Sequence, residues 1–387
     1  MLIVQKFGGS SLSDIAKIKK VAQSIIREKE KGKDLVIVVS AMGDTTDTLL
    51  DMANQMSDCP SRRELDMLLS VGERISMALL SMAIGKAGYK AISLTGSQCG
   101  IITTDSHSNA RVVDVRPFRV QDELEKGNIV IVAGYQGTSY RREVTTLGRG
   151  GSDTTAVALA AALGAQACEI YSDVDGIFSA DPRVVINAVQ LDALSYEEML
   201  ELSKSGARVL NAQAVAFAQK RGIALYAKKT GAENTKGTII RPDGALDRVR
   251  AIEEGCAVAG VSHISKGLFI EGDVRDKLDA FNLAFLNYHP GRVSAFLGLD
   301  DIHDQGDLET LLSEAKIDYQ EAGLVSVVGR NIGHSPKWIR KGCEILGVPI
   351  LCHFAGSDRI SWVIKSGDVE SAAKVLHVFF VEKAGLA

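Results

Sequence analysis

Five short apolar or β-branched runs punctuate the first part of the chain, at Leu2 to Lys6, Leu35 to Ser40, Lys90 to Leu94, Ile129 to Ala133 and Cys168 to Ser172, and longer helical patterns separate most of them. Strands alternating with helices predict an α/β layer fold with a mostly parallel central sheet between helices. Helices are expected over Asp14 to Lys31, Arg63 to Gly85, Val115 to Lys126, Thr154 to Leu163 and Ser195 to Lys204, the last opened by a capping box of Ser195 and Glu198. Near Arg241 the stretch RPDGALDRVRAIEEG supplies Pro, Gly and charge with little apolar periodicity, and reads as a linker. Beyond it, Gly323 to Val381 alternates strand, helix, strand, strand and helix, which with a strand such as Cys256 to Ile264 suggests a ferredoxin-like α+β unit. A weaker version is expected over Gly267 to Ala322. The domains are thus expected at 1–245 and 256–387, the second holding units at about 260–322 and 323–387.

Charge narrows the partners. With 44 Lys plus Arg against 48 Asp plus Glu, the net charge of -4 gives no electrostatic reason to expect nucleic acid or an anionic membrane as partner. No basic leader opens the sequence and no run of about 18 apolar residues occurs, so a cytoplasmic protein is expected. The six cysteines form no CxxC pair and the seven histidines no HExxH, which argues against a dedicated metal cage; any metal should arrive with a substrate.

Three loops carry chemistry. In VTTLGRGGSDTTAVALAAALGA, Val144 to Ala165, a helix of small residues ends at Gly164, and Ser152 and Asp153 are expected at or near its N-cap. The exposed N–H groups at that start, approached past Gly150 and Gly151 and beside Arg149, suit an anion; an ordinary turn and cap is the competing reading. KFGGSS, Lys6 to Ser11, is a second glycine-rich turn, and its lysine suits a moving phosphate, although alone it reads more readily as a cap with a surface lysine. YSDVDGIFSADPR, Tyr171 to Arg183, offers three aspartates for magnesium, ribose or phosphate, or for Asx turns. All three are expected at strand ends of one parallel sheet, where α/β proteins bind ligands.

Taken together, KFGGSS, VVSAMGDTTDTLL, SVGERIS, LTGSQCGIITTDSHSNARV, TLGRGGSDTTAVALAAALGA, YSDVDGIFSADPR and LDALSYEEMLELSKSGARVL make the sequence resemble the aspartokinases of the amino acid kinase superfamily, in the family's order to about residue 240. The resemblance implies an amino acid kinase fold followed by ferredoxin-like ACT-type domains, and transfer of phosphate from ATP, with Mg2+, to L-aspartate. It implies that Arg149 grips the α-carboxylate with Gly150, Gly151 and Ser152 at the helix start, that Ser40 and Thr46 donate to the substrate carboxylate, and that Glu73 meets the amino group or orders the site around it. Lys6, Gly8, Gly9, Ser10 and Asp153 form the implied catalytic set; Ser172, Asp173, Phe178, Asp181, Arg183, Arg208 and Val209 fall where the family binds nucleotide. Arg208 stands where many relatives have lysine, Asn211 replaces a frequent histidine, and Phe178 a frequent tyrosine. Another amino acid kinase of the superfamily, or a catalytically weak amino acid sensor, remains an alternative. The C-terminal region is expected to assemble a homodimer or higher oligomer. Its usual effector loop is not recognisable in DVRDKLDAFNLAFLNYHPGRVSAFLGLDD, so inhibition by lysine or threonine is expected to be weak or absent.

Overall fold

The structure, a computed structural model, describes every residue except 149, 208, 233–235, 243–249, 254–255, 273–282, 290–291, 300–316 and 384–387. The chain forms two compact units, Met1–Ile177 with Val209–Gly244, and Phe178–Arg208 with Ala245–Ala387. A continuous unit over 1–245 was expected. The segment 178–208 instead groups with the second unit because its apolar residues Ala180 and Val185 share a core with Trp338, Trp362 and Phe380. Ser179 Oγ also lies 2.9 Å from Nε2 of the buried His377.

In the first unit the strands are β1 (Leu2–Phe7), β2 (Asp34–Val39), β3 (Ala91–Leu94), β4 (Ile101–Thr103), β5 (Val112–Val115), β6 (Ile129–Ala133), β7 (Gln136–Ser139), β8 (Val144–Thr146) and β9 (Ala167–Ser172). Strands β9, β1, β2, β6 and β3 lie side by side and parallel, as the apolar runs predict. Strand Leu225–Lys229 continues the sheet in parallel beyond β9, and Thr238–Ile240 follows it antiparallel. A smaller sheet in the order β5, β4, β7, β8 was not foreseen. Its strands are three or four residues long and rich in Thr and Ser, so they carry little apolar signal.

The helices of this unit include α1 (Ile15–Glu30), α2 (Thr45–Met56), α3 (Arg62–Leu69), α4 (Val71–Lys86), α5 (Phe118–Glu125) and α6 (Gly151–Leu163). The single helix expected over Arg63 to Gly85 is two, broken at Ser70, whose carbonyl accepts a hydrogen bond from the Gln136 side chain at 2.8 Å. The stretch Arg62–Lys86 is long and apolar enough, by length and composition, to cross a membrane. Here Met77, Leu80 and Ile84 of α4 pack against Ile18, Val21 and Ile25 of α1 in the core. Helix α6 begins earlier than expected: its N-cap is Gly150, with φ 70°, so Ser152 and Asp153 lie in the first turn instead of capping it. It ends at Gly164, as the sequence predicts, and is buried from Gly151 to Ala160.

The second unit is built on one six-stranded sheet in the order Leu283–His289, Arg292–Gly298, Gly260–Gly272, Asp318–Val328, Arg359–Ile364, Ile350–Ala355, antiparallel throughout. The strand expected over Cys256 to Ile264 is divided. Cys256–Val258 pairs with Arg250–Glu253, and the main strand starts at Gly260. A register shift between Ile264 and Gly267 splits that strand by partner: Gly260 to Ile264 pairs with Leu324 to Val328, while Gly267 to Gly272 also pairs with Val293 to Gly298. With helices Pro336–Leu346 and Val369–His377, the first half of the strand completes a ferredoxin-like unit for residues beyond 323, on the same sheet as the strands Leu283–His289 and Arg292–Gly298. The helix Tyr196–Lys204 has the expected capping box of Ser195 and Glu198.

Candidate active site

Strand β1 occupies the middle of the parallel sheet, and its penultimate residue, Lys6, places Nζ 2.7 Å from Oδ1 of Asp153 in the first turn of α6. Both side chains are largely buried. A lysine ammonium so held is fixed in position and stays beside the N-terminal end of α6, where backbone N–H groups also point outward. After β1 the chain makes a short 3-10 turn, Gly9–Leu12. Gly8 N–H donates to the Tyr171 carbonyl at the end of β9, and Gly43 N–H donates to the Gly9 carbonyl. A Cβ on Gly9 would lie 2.9 Å from the Ala41 carbonyl oxygen, so a side chain there would push the two loops apart. Ser10 is exposed on this turn, and Ser40 N–H donates to the Phe7 carbonyl at the end of β2. Thr46 stands half-buried in the first turn of α2.

Glu73 comes up from α4. It is 3% exposed; Oε1 accepts from Ala41 N–H at 3.1 Å, and Oε2 is buried with no hydrogen-bond partner. Burial pushes its carboxyl up to about 7, against the pull of backbone N–H donors and the Lys6 charge. A buried carboxylate oxygen without a donor is costly, and an incoming ammonium group removes that cost.

The start of α6 is closed in by neighbours. A Cβ on Gly134 would lie 2.7 Å from Ser152 Oγ, and one on Gly151 would lie 3.0 Å from Tyr135 Cδ2. Gly150 faces the Asn211 side chain at contact distance. Asn211 itself caps helix Ala212–Arg221, accepting from Gln213 N–H at 2.8 Å, so the asparagine found in place of histidine has a structural duty here.

On the other side, Ser172 Oγ donates to the Val174 carbonyl and accepts from Val174 N–H, Asp173 is exposed, and Asp175 keeps one buried carboxylate oxygen without a hydrogen-bond partner. Val209 is half-buried where the chain returns to the first unit. Phe178, Asp181 and Arg183 belong to the second unit, in which Arg183 forks onto Asp181 at 2.7 and 3.0 Å and holds its carboxyl below the usual range. The readings on Arg149 and Arg208 fall outside the described residues. The structure thus gathers Lys6, Gly8, Gly9, Glu73, Gly151, Ser152 and Asp153 at the carboxyl edge of one sheet. Sequence reasoning missed Tyr135, whose φ of 67° is unusual for a side-chain-bearing residue, and Asp66, buried on α3; a lone acid on a helix gives no warning in sequence.

A parallel sheet with glycine-rich turns at its carboxyl edge, a lysine on the first and an acid on the second, is the frame of a phosphate-transferring enzyme. The family model of the amino acid kinase family matches residues 1–227, and the chain belongs to that family. An aspartokinase of Geobacillus stearothermophilus is 42% identical over 396 residues, covering 98% of this chain and 97% of its own, and one of Mycolicibacterium smegmatis 40% identical over 408 residues, covering 98% and 96%. Within the amino acid kinases, the chain is accordingly a member of the aspartokinases. Among solved structures, E. coli aspartokinase III in complex with aspartate and ADP aligns with a TM-score of 0.83 over 97% of this chain and 99% of its own, at 20% identity, a likeness of fold. The same enzyme with lysine and aspartate aligns with a TM-score of 0.74 over 98% and 99%.

Proposed function

We propose that this chain transfers the γ-phosphoryl group of ATP to the side-chain carboxylate of L-aspartate, yielding 4-phospho-L-aspartate and ADP, the first step toward lysine, threonine and methionine. The observation that carries the reading is Glu73, a buried carboxylate with one unpartnered oxygen that senses the charge of Lys6. It marks a place for the substrate ammonium within reach of the phosphate-handling lysine. Arg149, with two parallel N–H donors, takes the α-carboxylate beside Gly150, Gly151 and Ser152, while Ser40 and Thr46 donate to the substrate carboxylate.

In the reaction an oxygen of the aspartate side chain attacks the γ-phosphorus, and the bond to the β-phosphate oxygen breaks. The attacking carboxylate is already ionised at neutral pH, so no side chain has to remove a proton. Lys6 neutralises charge on the moving phosphoryl oxygens, Asp153 keeps the ammonium aimed, and the turn at Gly8, Gly9 and Ser10 lets backbone approach the phosphates. Ser172, Asp173 and Val209 of the first unit hold the nucleotide. Among the described residues no group of three or more His, Cys, Asp or Glu is arranged to hold a metal. The unpartnered Asp175 oxygen and exposed Asp173 nevertheless fit a magnesium ion carried in by the nucleotide, which supplies further neutralisation of phosphate charge.

The C-terminal sheet serves as the regulatory and assembling part. Its outer strands, Leu283–His289 and Ile350–Ala355, offer edges for a second copy, giving a homodimer or a higher assembly that works in the cytoplasm. Turnover of ATP with aspartate, glutamate and N-acylated acids, each trapped with hydroxylamine as the hydroxamate, tests the substrate. Aspartate alone should give product. Preference for glutamate or an N-acyl acid refutes the assignment, and absence of turnover with all of them favours an amino acid sensor.

A further inference from the structure

The side of the unit that carries Glu73 also holds a second fully buried carboxylate. Asp66, on α3, is 0% exposed. Its Oδ1 accepts from Ser108 N–H at 3.0 Å and from the Thr146 hydroxyl at 2.6 Å, and its Oδ2 lies 2.6 Å from His107 Nδ1. These partners come from two places in the chain. His107 and Ser108 belong to the loop between β4 and β5; Thr146 ends β8, just before the glycine-rich turn that enters α6.

Both places are tied onward. Ala110 N–H donates to the Thr146 carbonyl, and Leu147 N–H donates to the Tyr135 carbonyl. Tyr135 in turn packs against the position of Gly151, and its hydroxyl feels the charges of Glu73 and Asp66. The backbone is held here against local preference: Ser108 and Tyr135 have φ of 65° and 67°, and Ser108 Oγ is buried without a hydrogen-bond partner. Such outliers persist only where surrounding contacts over-determine them. Asp66 holds Ser108 directly and reaches Tyr135 through Thr146 and the Leu147 N–H beside it.

We propose that Asp66 is a positioning residue of the amino acid subsite, fixing through His107, Ser108 and Thr146 the loop and strand that set Tyr135 and the start of α6. This rests on the placement of the substrate between Glu73 and the α6 N-terminus. Asp66 touches neither substrate nor phosphate; it sets where the groups that do touch them stand. A displacement of the carboxylate-binding turn affects aspartate more than ATP, because the KFGGSS turn hangs from β1 and β9 and meets the start of α6 through the Lys6–Asp153 pair, not through Asp66, His107 or Thr146.

The test uses the full chain with Asp66→Asn, Thr146→Val, His107→Ala and, as a control on the substrate placement, Glu73→Gln. Asp66→Asn should raise the aspartate KM roughly tenfold or more with the ATP KM unchanged, since small misplacements of a binding group cost up to about 10²-fold. Thr146→Val and His107→Ala should shift the same constant in the same direction by less, and His107→Ala should add nothing to Asp66→Asn. An unchanged aspartate KM in Asp66→Asn, or a parallel rise in both KM values with a lowered melting temperature, refutes the proposal and leaves Asp66 a purely structural anchor. If Asp66→Asn does not fold, Thr146→Val and His107→Ala carry the test, and unchanged aspartate KM in both refutes it. An unchanged aspartate KM in Glu73→Gln refutes instead the substrate placement on which the proposal rests.

Discussion

The two glycine-rich turns meet similar chemistry with different construction. KFGGSS closes into a short 3-10 turn with Ser10 exposed, and α1 starts only at Ile15 as a half-exposed surface helix. Its Gly9 is required by a neighbouring backbone, the Ala41 carbonyl. The turn before α6 leads at once into a helix buried for ten residues, and its Gly150 is required by its own dihedral angle as well as by Asn211. In the proposed reaction the open turn serves the group that moves, and the enclosed one the group that must stay. Lys6 and Asp153 join them, one charge from each.

The largest effect should come from cutting that join. Lys6→Ala is expected to lower kcat by roughly 10² to 10³, the 2.7–4 kcal/mol scale of one preorganised donor, with little change in aspartate affinity. Steady-state kinetics with direct aspartate titration decide it, and an unchanged kcat removes Lys6 from phosphoryl transfer. Next comes the rigidity of the enclosed turn. Gly150→Ala forces a side chain into φ 70° and against Asn211, and should cost about 3 kcal/mol, from about 1–2 for the left-handed backbone and at least about 1 for crowding. Gly9→Ala, which crowds the Ala41 and Gly43 carbonyls without a positive φ, should cost about 1 kcal/mol. Denaturant unfolding of both variants measures the gap, and equal losses would mean that the two turns are equally constrained.

A smaller effect follows from Glu73. Its carboxyl, lifted from an ordinary 4.5 to about 7, must be ionised to receive the substrate ammonium, so the aspartate KM should be lowest above pH 7 and rise up to about tenfold per unit below it. The sign for stability is opposite. A folded value above the unfolded one makes protonated Glu73 stabilising below about 4.5, a contribution lost as pH rises to about 7, so the ligand-free protein should melt at progressively lower temperature across that window. Glu73→Gln should flatten both profiles; a KM that still rises on acidification places the titrating group elsewhere. The smallest expected effect is in the C-terminal part, where lysine and threonine, alone or together, should inhibit weakly or not at all. The segment behind that expectation begins at 273, outside the described residues for its first ten positions. Strong inhibition at sub-millimolar effector would show a working pocket.

The parallel sheet was legible because its strands are buried on both faces: LIVQKF, DLVIVV and IVIVA stand out as apolar runs of five or six. The site lysine and the α6 glycines were legible because turns and helix starts need particular residue types. The small sheet was hidden because VVDV and QGTS have neither length nor contrast. Asp66 and Tyr135 were hidden for another reason. Their roles depend on partners 41 to 80 residues away for Asp66, and on a dihedral angle for Tyr135, neither of which leaves a periodic trace. The break at Ser70 had the same cause, a hydrogen bond from Gln136, 66 residues on.

The divided strand Gly260–Gly272 also sets a timetable for synthesis. Among the described residues its first half pairs with one strand, Leu324 to Val328, which is made after it, while Val261 N–H donates to the Ser179 carbonyl. At roughly 5–20 residues per second, a growing chain leaves Val261 and Ile264 without their neighbour for several seconds. During that interval the exposed row of N–H and C=O groups matches the same row on the next chain along the messenger. The parallel sheet gains its first pair sooner, since β1 ends at Phe7 and β2 starts at Asp34, although β9, the other neighbour of β1, starts only at Ala167. The C-terminal sheet is therefore the part of this molecule whose yield depends more on how fast, and how closely spaced, its chains are made.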